Sequence, residues 1–375
     1  MIVHVAEAAA ALQAHDDILI LTHRRPDGDT AGCAGALCRG LRQIGKRAYI
    51  LENPEITRRY APMITGCYPP DDFNPRYIVS TDIAEEKLFP DTAEQYKGKV
   101  DLVIDHHGSN EGFGAKNLIR ADAGACAEVL YDVLTALGCR LTREIAECIY
   151  VGVSTDTGCF KFSNTTAHTH AVAAACLTAG IDGGEINRAL FETKSRPRFE
   201  MERIVFDTME FHEDGAIAVA VLWRKDIDRV GADMDDLDSI ASLTRQIEGV
   251  QIGITMTEKA DGTVRVSVRT TKEMDASDDV IERIRRDGGL HEGPLGGEPI
   301  QLHAEQHLGR ARQGAELHDF AGVAHEILAQ VFPVFHRIGI RLGAGGMLGK
   351  TEPLQVRFLR RREHLGSGGR AVGIP

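Results

Sequence analysis

The sequence predicts an α/β protein, with a largely parallel sheet flanked by helices and then a smaller α/β domain. Three observations predict it. Short apolar runs, DILILT (17–22), YIVS (77–80) and VDLVID (100–105), have the length and texture of strands buried on both faces. Segments of helical spacing alternate with them, the pattern of a parallel sheet covered by crossover helices. The chain has 375 residues, enough for two domains.

Taken in order, residues 5–15 are rich in Ala and read as a helix, followed by the strand at 17–22, which runs into His23. Residues 28–45 are small and apolar at helical spacing, and RAYILE (47–52) reads as the next strand, ahead of those at 77–80 and 100–105. Helical patterns follow at 124–138, 142–153 and 166–179. After Gly183–Gly184 the texture changes: 185–200 is charged, contains Pro197, and reads as a partly helical connector. Beyond it come a strand, AIAVAVLW (216–223), and an acidic helix around 233–247. GVQIGITMTE (249–258) and TVRVSVRTT (263–271) read as antiparallel strands joined across Asp261–Gly262. The expected domains are therefore 1–184 and 201–280, with 185–200 between them. The tail, 281–375, stands apart, with 12 Arg against one Lys, 7 of the 15 His and abundant Gly. It is assigned no structure; a divergent extension and a segment read out of frame both fit its composition.

Composition excludes several functional classes. At 43% hydrophobic and 26% charged residues the chain is neither disordered nor fibrous. Its net charge of −12 argues against gripping long nucleic acid through phosphate contacts alone. Eight Cys without a C-x-x-C pair suggest reduced thiols and a cytoplasmic protein. The first residues lack the Lys or Arg of a signal peptide, and no uncharged apolar stretch reaches the roughly 18 residues of a membrane span.

The informative side chains follow the apolar runs. DILILT leads into His23-Arg24-Arg25-Pro26-Asp27-Gly28-Asp29, YIVS into Thr81-Asp82, VDLVI into Asp105-His106-His107, and ECIYVGVST into Asp156. Singly, each has a plain structural explanation: a surface turn for Asp-Gly-Asp, a helix cap for an Asp after a strand. Together they bring four segments to the carboxyl edge of an open sheet, where ligands gather. Two carboxylates 4 Å apart repel by roughly 4 kcal/mol at an effective dielectric of 20. Several clustered together require protons or cations among them. Carboxylates with a few imidazoles and no thiolate suit two Mn²⁺, with Mg²⁺, Co²⁺ or Fe²⁺ as alternatives.

HRRPDGDTAGCAGAL, TDIA, DHHG and STDTGCFKFSNTT resemble, in order, the four motifs of the DHH phosphoesterase superfamily, and SVRTTKEMDAS (267–277) resembles the entry to its associated C-terminal (DHHA1-like) domain. Within it, the chain is most similar to the NrnA-type bifunctional oligoribonucleases and 3′-phosphoadenosine 5′-phosphate (pAp) phosphatases; RecJ exonucleases and family II pyrophosphatases resemble it more distantly. The resemblance implies one ion on His23, Asp27 and Asp82 and another on Asp29, Asp82, His106 and Asp156. It implies that Asp105 orients an imidazole or water, and that His107 faces the substrate phosphate. Asn164, Ser267 and Arg269 would touch the substrate. The implied substrates are short RNA oligonucleotides and pAp, not long duplex nucleic acid; a homodimer is compatible with this. The usual glycine-rich run ending in His is only loosely matched by residues 287–297, where Leu290 interrupts the Gly-His step, so His291 is the weakest of the expected substrate contacts. The alternatives are a linear or cyclic dinucleotide phosphodiesterase, a single-strand DNA exonuclease, or a nucleotide-binding regulator with impaired chemistry.

Overall fold

A computed structural model describes residues 1–237, 240–260, 264–270 and 302–303. The chain divides into two compact units, the first spanning Met1–Lys194 and the second starting at Ser195, each built on a five-stranded sheet.

In the first unit β1 (Ile18–Leu21), β2 (Ala48–Ile50), β3 (Tyr77–Thr81), β4 (Leu102–Asp105) and β5 (Lys116–Ile119) lie in the order β2-β1-β3-β4-β5. Every pairing is parallel. All residues of β1, β3 and β4 are buried, which is why these strands read as unbroken apolar runs rather than alternating ones. Ile18, Ile20, Val79, Leu102 and Ile104 face one large core. Its helices are α1 (Val5–Ala14), α2 (Gly28–Gln43), α3 (Ala61–Ile64, one turn), α4 (Cys126–Ala136), α5 (Arg143–Asp156) and α6 (Ala167–Thr178). Leu19, Leu21, Ile78 and Val103 face the other side, where Phe89 and Ala93 cover them from 3-10 turns at Glu86–Leu88 and Asp91–Tyr96. One face is thus roofed by α-helices and the other by short turns.

Helices α2 and α5 approach closely at Gly32. A Cβ there would sit 2.4 Å from the Cys148 carbonyl oxygen, so only glycine permits the contact. This packing sets the start of α2 beside the end of α5. The first unit closes with α7 (Gly183–Asn187) and a π-helical turn, Arg188–Glu192. The division at Lys194 falls inside the segment expected as a connector.

The second unit starts with α8 (Arg196–Thr208), whose cap Ser195 accepts the Arg198 N–H at 3.0 Å. Strands β6 (Glu210–His212), β7 (Ile217–Leu222), β8 (Ile252–Glu258), β9 (Val264–Thr270) and β10 (Leu302–His303) pair in the order β10-β9-β8-β7-β6. β8 and β9 are antiparallel as expected, while β7 and β8 are parallel, with α9 (Arg224–Val230) and α10 (Met234–Leu237) between them. The long acidic helix expected at 233–247 is instead the single turn of α10 and a 3-10 stretch, Ile240–Arg245. Asp233 and Asp236 accept each other's backbone N–H at 3.1 Å, a capping box that starts α10. No helix among the described residues is long and apolar enough to cross a membrane.

Candidate metal centre

Because the sheet is parallel, β1, β3 and β4 all end at one edge. His23 lies two residues past β1, Asp82 one past β3, and Asp105 is the last residue of β4, with His106 and His107 after it. Asp27 is the N-cap of α2 and accepts the Asp29 and Thr30 N–H groups at 3.0 and 3.1 Å. Asp29 sits in that helix's first turn. Asp156 is delivered by the last residue of α5, a helix end rather than a strand end.

The structure brings these side chains together. Ligating atoms of His23, Asp27 and Asp82 lie within 4.8 Å of one another, as do those of Asp29, His106 and Asp156, and those of Asp82, His106 and His107. His23 Nε2 is 3.6 Å from Asp27 and 3.9 Å from Asp82. His106 Nε2 is 3.3 Å from Asp156, 3.6 Å from Asp82 and 3.9 Å from Asp29. Asp82 belongs to the first and third groups and approaches the second through His106. Each of these two imidazoles turns Nδ1 to a backbone carbonyl, His23 to Arg24 at 2.7 Å and His106 to Ala123 at 3.3 Å. That leaves Nε2 facing the carboxylates, the arrangement that prepares a histidine as a ligand. Asn53, which the sequence did not single out, donates to the His23 carbonyl at 2.9 Å and steadies the loop.

Electrostatics make this cluster costly without cations. Burial, then repulsion from Asp29 and Asp27, pushes Asp82 well above the ordinary carboxylate range; the same causes act on Asp156. Asp29 is raised by burial too, although His106 opposes the shift. Burial works against ionising Asp27 as well, but His23 and the helix N–H groups hold it down at about 2. The sharpest sign is Asp82 Oδ1, buried without a hydrogen-bond partner. Asp82 also adopts φ +57°, a left-handed conformation unusual outside glycine but tolerated by Asp, and found where function holds it. A buried, orphaned carboxylate oxygen between two His-carboxylate clusters fits a pair of hard divalent ions. Cys126 comes within 4.8 Å of Asp82 and Asp105, but burial pushes its thiol up to about 11 and it donates to the Ile104 carbonyl. It therefore stays a neutral neighbour.

Asp105 is fully buried, and its carboxylate is shared among three donors. It accepts the His107 ring Nδ1–H at 2.8 Å, the His106 N–H at 2.8 Å and the Asn110 amide at 2.7 Å. Burial would raise its pKa, yet the His107 bond brings it below the usual value. His107 is desolvated in turn, but Asp105 raises it above an ordinary imidazole. With Nδ1 held, a ring 42% exposed can turn Nε2 toward a ligand.

The expected substrate contacts are differently placed. Asn164 does not cap α6, a role taken by Thr166; its amide donates to the Gly124 and Asp156 carbonyls at 2.8 and 3.1 Å. Ser267 and Arg269 lie two residues apart on β9, opposite Thr255 and Gly253 of β8, and so share a face. His291 lies outside the described residues. Sequence reasoning passed over Asn110 and Glu128, a buried acid in the first turn of α4. The signal for Glu128 is its place at the third helical position after the Ala125 cap, where acids commonly satisfy helix N–H groups.

Residues 17–153 match the family model for the DHH family, N-terminal domain. The bifunctional oligoribonuclease and PAP phosphatase NrnA of Thermus thermophilus is 32% identical over 268 residues, 71% of this chain and 79% of that protein. The protein of the same name from Bacillus subtilis is 26% identical over 274 residues, 70% and 84% of the two chains. Among solved structures, an exopolyphosphatase-related protein from Bacteroides fragilis superposes with a TM-score of 0.70 at 18% identity, covering 89% of this chain and 97% of that one, a likeness of fold. The matched segment holds five of the six expected ligands, and the identity to NrnA extends over most of both proteins: the chain belongs to the DHH family, among its NrnA-type members.

Proposed function

We propose that this protein is a two-cation phosphoesterase that hydrolyses short oligoribonucleotides to mononucleotides and removes the 3′-phosphate of pAp. Family membership makes it a hydrolase of phosphoester bonds. The observation that carries the fuller reading is the meeting of His23, Asp27, Asp29, Asp82, His106 and Asp156 at one sheet edge, with Asp82 lying between His23 and His106. His23, Asp27 and Asp82 would hold one ion; Asp29, Asp82, His106 and Asp156 would hold the other. Mn²⁺ is the cation proposed. When bound, such a pair supplies positive charge for phosphoryl oxygens and acidifies a water for attack on phosphorus.

The remaining work falls to the protein's own groups. Asp105 fixes the His107 tautomer by accepting from Nδ1. The Asp105 carboxylate also favours the doubly protonated ring, and from that imidazolium Nε2–H would give a departing oxygen its proton, a general acid contribution of typically ~10²–10⁴-fold. Asn110 keeps the Asp105 carboxylate in place through its second oxygen. A chain of net charge −12 attracts phosphate only where cations concentrate positive charge, so a compact anionic substrate suits it better than a long strand. Ser267, Arg269 and His291 are proposed contacts to the rest of the substrate, and a cytoplasmic location belongs to the same reading. In the test, purified protein with Mn²⁺ is offered a dinucleotide, a pentamer RNA, pAp, a cyclic dinucleotide and pyrophosphate. Release of mononucleotides from RNA and of phosphate from pAp is expected; preference for pyrophosphate or the cyclic dinucleotide, or no turnover at all, contradicts the assignment.

A further inference from the structure

The second cluster is held by one short segment. Ala123 offers its carbonyl to His106 Nδ1 at 3.3 Å. The Cys126 and Ala127 N–H groups donate to the two oxygens of Asp29 at 2.6 and 3.0 Å, so Asp29 caps α4 from another helix. The Gly124 carbonyl accepts the Asn164 amide, which also donates to the Asp156 carbonyl. Residues 123–127 thus touch, directly or through Asn164, each of Asp29, His106 and Asp156. Its Cys126 also comes within 4.8 Å of Asp82, but among the described residues no hydrogen bond from 123–127 runs to His23 or Asp27.

Glu128 anchors that segment. It is 1% exposed, and its Oε1 accepts the Thr169 hydroxyl at 2.6 Å. Thr169 is itself fixed in a capping box with Thr166 at the start of α6. The packing is tight: a Cβ on Gly124 would lie 2.7 Å from Glu128 Oε1 and 2.8 Å from the Asn164 carbonyl oxygen. Glu128 Oε2 and Asn164 Oδ1 are both buried without a hydrogen-bond partner. Buried polar groups left in this state persist where the surrounding structure imposes them.

We infer that Glu128 is a positioning residue for the Asp29–His106–Asp156 cluster alone, acting through Thr169 and the 123–127 segment. It touches no substrate and no reacting atom. This rests on the two-cation reading above and deepens it by giving the two ion sites separate supports. Outer groups of this kind typically set metal affinity by ~10–100-fold.

The test is calorimetric titration of the full chain with MnCl₂, read alongside thermal melting. The wild type takes up two ions. Glu128→Ala weakens one uptake step by ~10–100-fold and leaves the other within about twofold. Asp27→Asn weakens the opposite step, which identifies the two. Thr169→Val reproduces the Glu128→Ala pattern. Glu128→Gln, which keeps an oxygen for the Thr169 hydroxyl, binds as the wild type does. Equal weakening of both steps, or normal uptake by both Glu128→Ala and Thr169→Val, overturns the inference. A wild type that takes up no Mn²⁺ overturns the two-cation reading itself.

Discussion

Replacing Asp82 by Asn should stabilise the ion-free protein while destroying its activity. Asn is the right substitution because it tolerates the left-handed φ of +57° at this position, so the change is one of charge and not of backbone. Oxygens of Asp82 and Asp27 lie within 4.8 Å, a separation at which two unit charges repel by about 3.5 kcal/mol at an effective dielectric of about 20. Attraction to His23 and His106 offsets part of this, and the raised Asp82 carboxyl relieves more by taking up a proton. The sign with pH follows. A carboxyl raised in the folded state contributes stability below its unfolded value, and that stability is lost as pH climbs through the folded value. The ion-free wild type is therefore penalised most at pH 8, where the variant should be more stable by about 1–2 kcal/mol, or about 2–8 °C in Tm for a unit of this size. Adding Mn²⁺ reverses the order, because each filled site at a hundredfold excess over Kd contributes about 2.7 kcal/mol to the wild type and the variant has lost the shared ligand. Differential scanning calorimetry at pH 5 and pH 8, with EDTA or with Mn²⁺, reads all four conditions. An Asp82→Asn protein that melts below the wild type in EDTA at pH 8, or that gains as much from Mn²⁺, would refute the electrostatic reasoning. Asp82→Ala is expected to abolish turnover for the same ligand loss.

Other perturbations separate the parts of the site. His107→Ala should lower kcat by ~10²–10⁴-fold while both Mn²⁺ ions still bind, since its role is proton delivery; steady-state kinetics and calorimetry on one preparation check it. Gly152→Ala would place a Cβ 2.7 Å from Asp29 Oδ1 and 2.7 Å from the Ala127 Cβ. It should cost about 1–3 kcal/mol in urea unfolding and weaken Mn²⁺ uptake together; a variant unchanged in both would mean the α2–α5 contact yields freely.

Much of the first unit could be read before any coordinates, because buried parallel strands are short and apolar throughout. β1, β3 and β4 carried that signal, and the candidate ligands directly after them were legible with them. β5 was not. It is an edge strand, KNLI, whose Lys116 and Asn117 break the apolar run, and Asn117 spends its side chain on Gly114. Asp156 was singled out, but its delivery by a helix end required three dimensions: α5 reaches the sheet edge only because Gly32 and Gly152 let it lie against α2. The support of the second cluster was illegible for a similar reason. Glu128, Thr169 and Asn164 are scattered along the chain, and their hydrogen bonds run between helix starts that the sequence does not show to be neighbours. In the second unit, the Asp233–Asp236 capping box marks a real helix start, but the helical pattern over 233–247 resolves into the single turn of α10 and a 3-10 stretch.

Anomalous diffraction from crystals grown with Mn²⁺ would locate the two cations themselves. Two peaks roughly 3.5–4 Å apart are expected. One should touch His23 Nε2, Asp27 and Asp82, and the other Asp29, Asp82, His106 Nε2 and Asp156. A single peak, or manganese bound only away from Asp82, would contradict it.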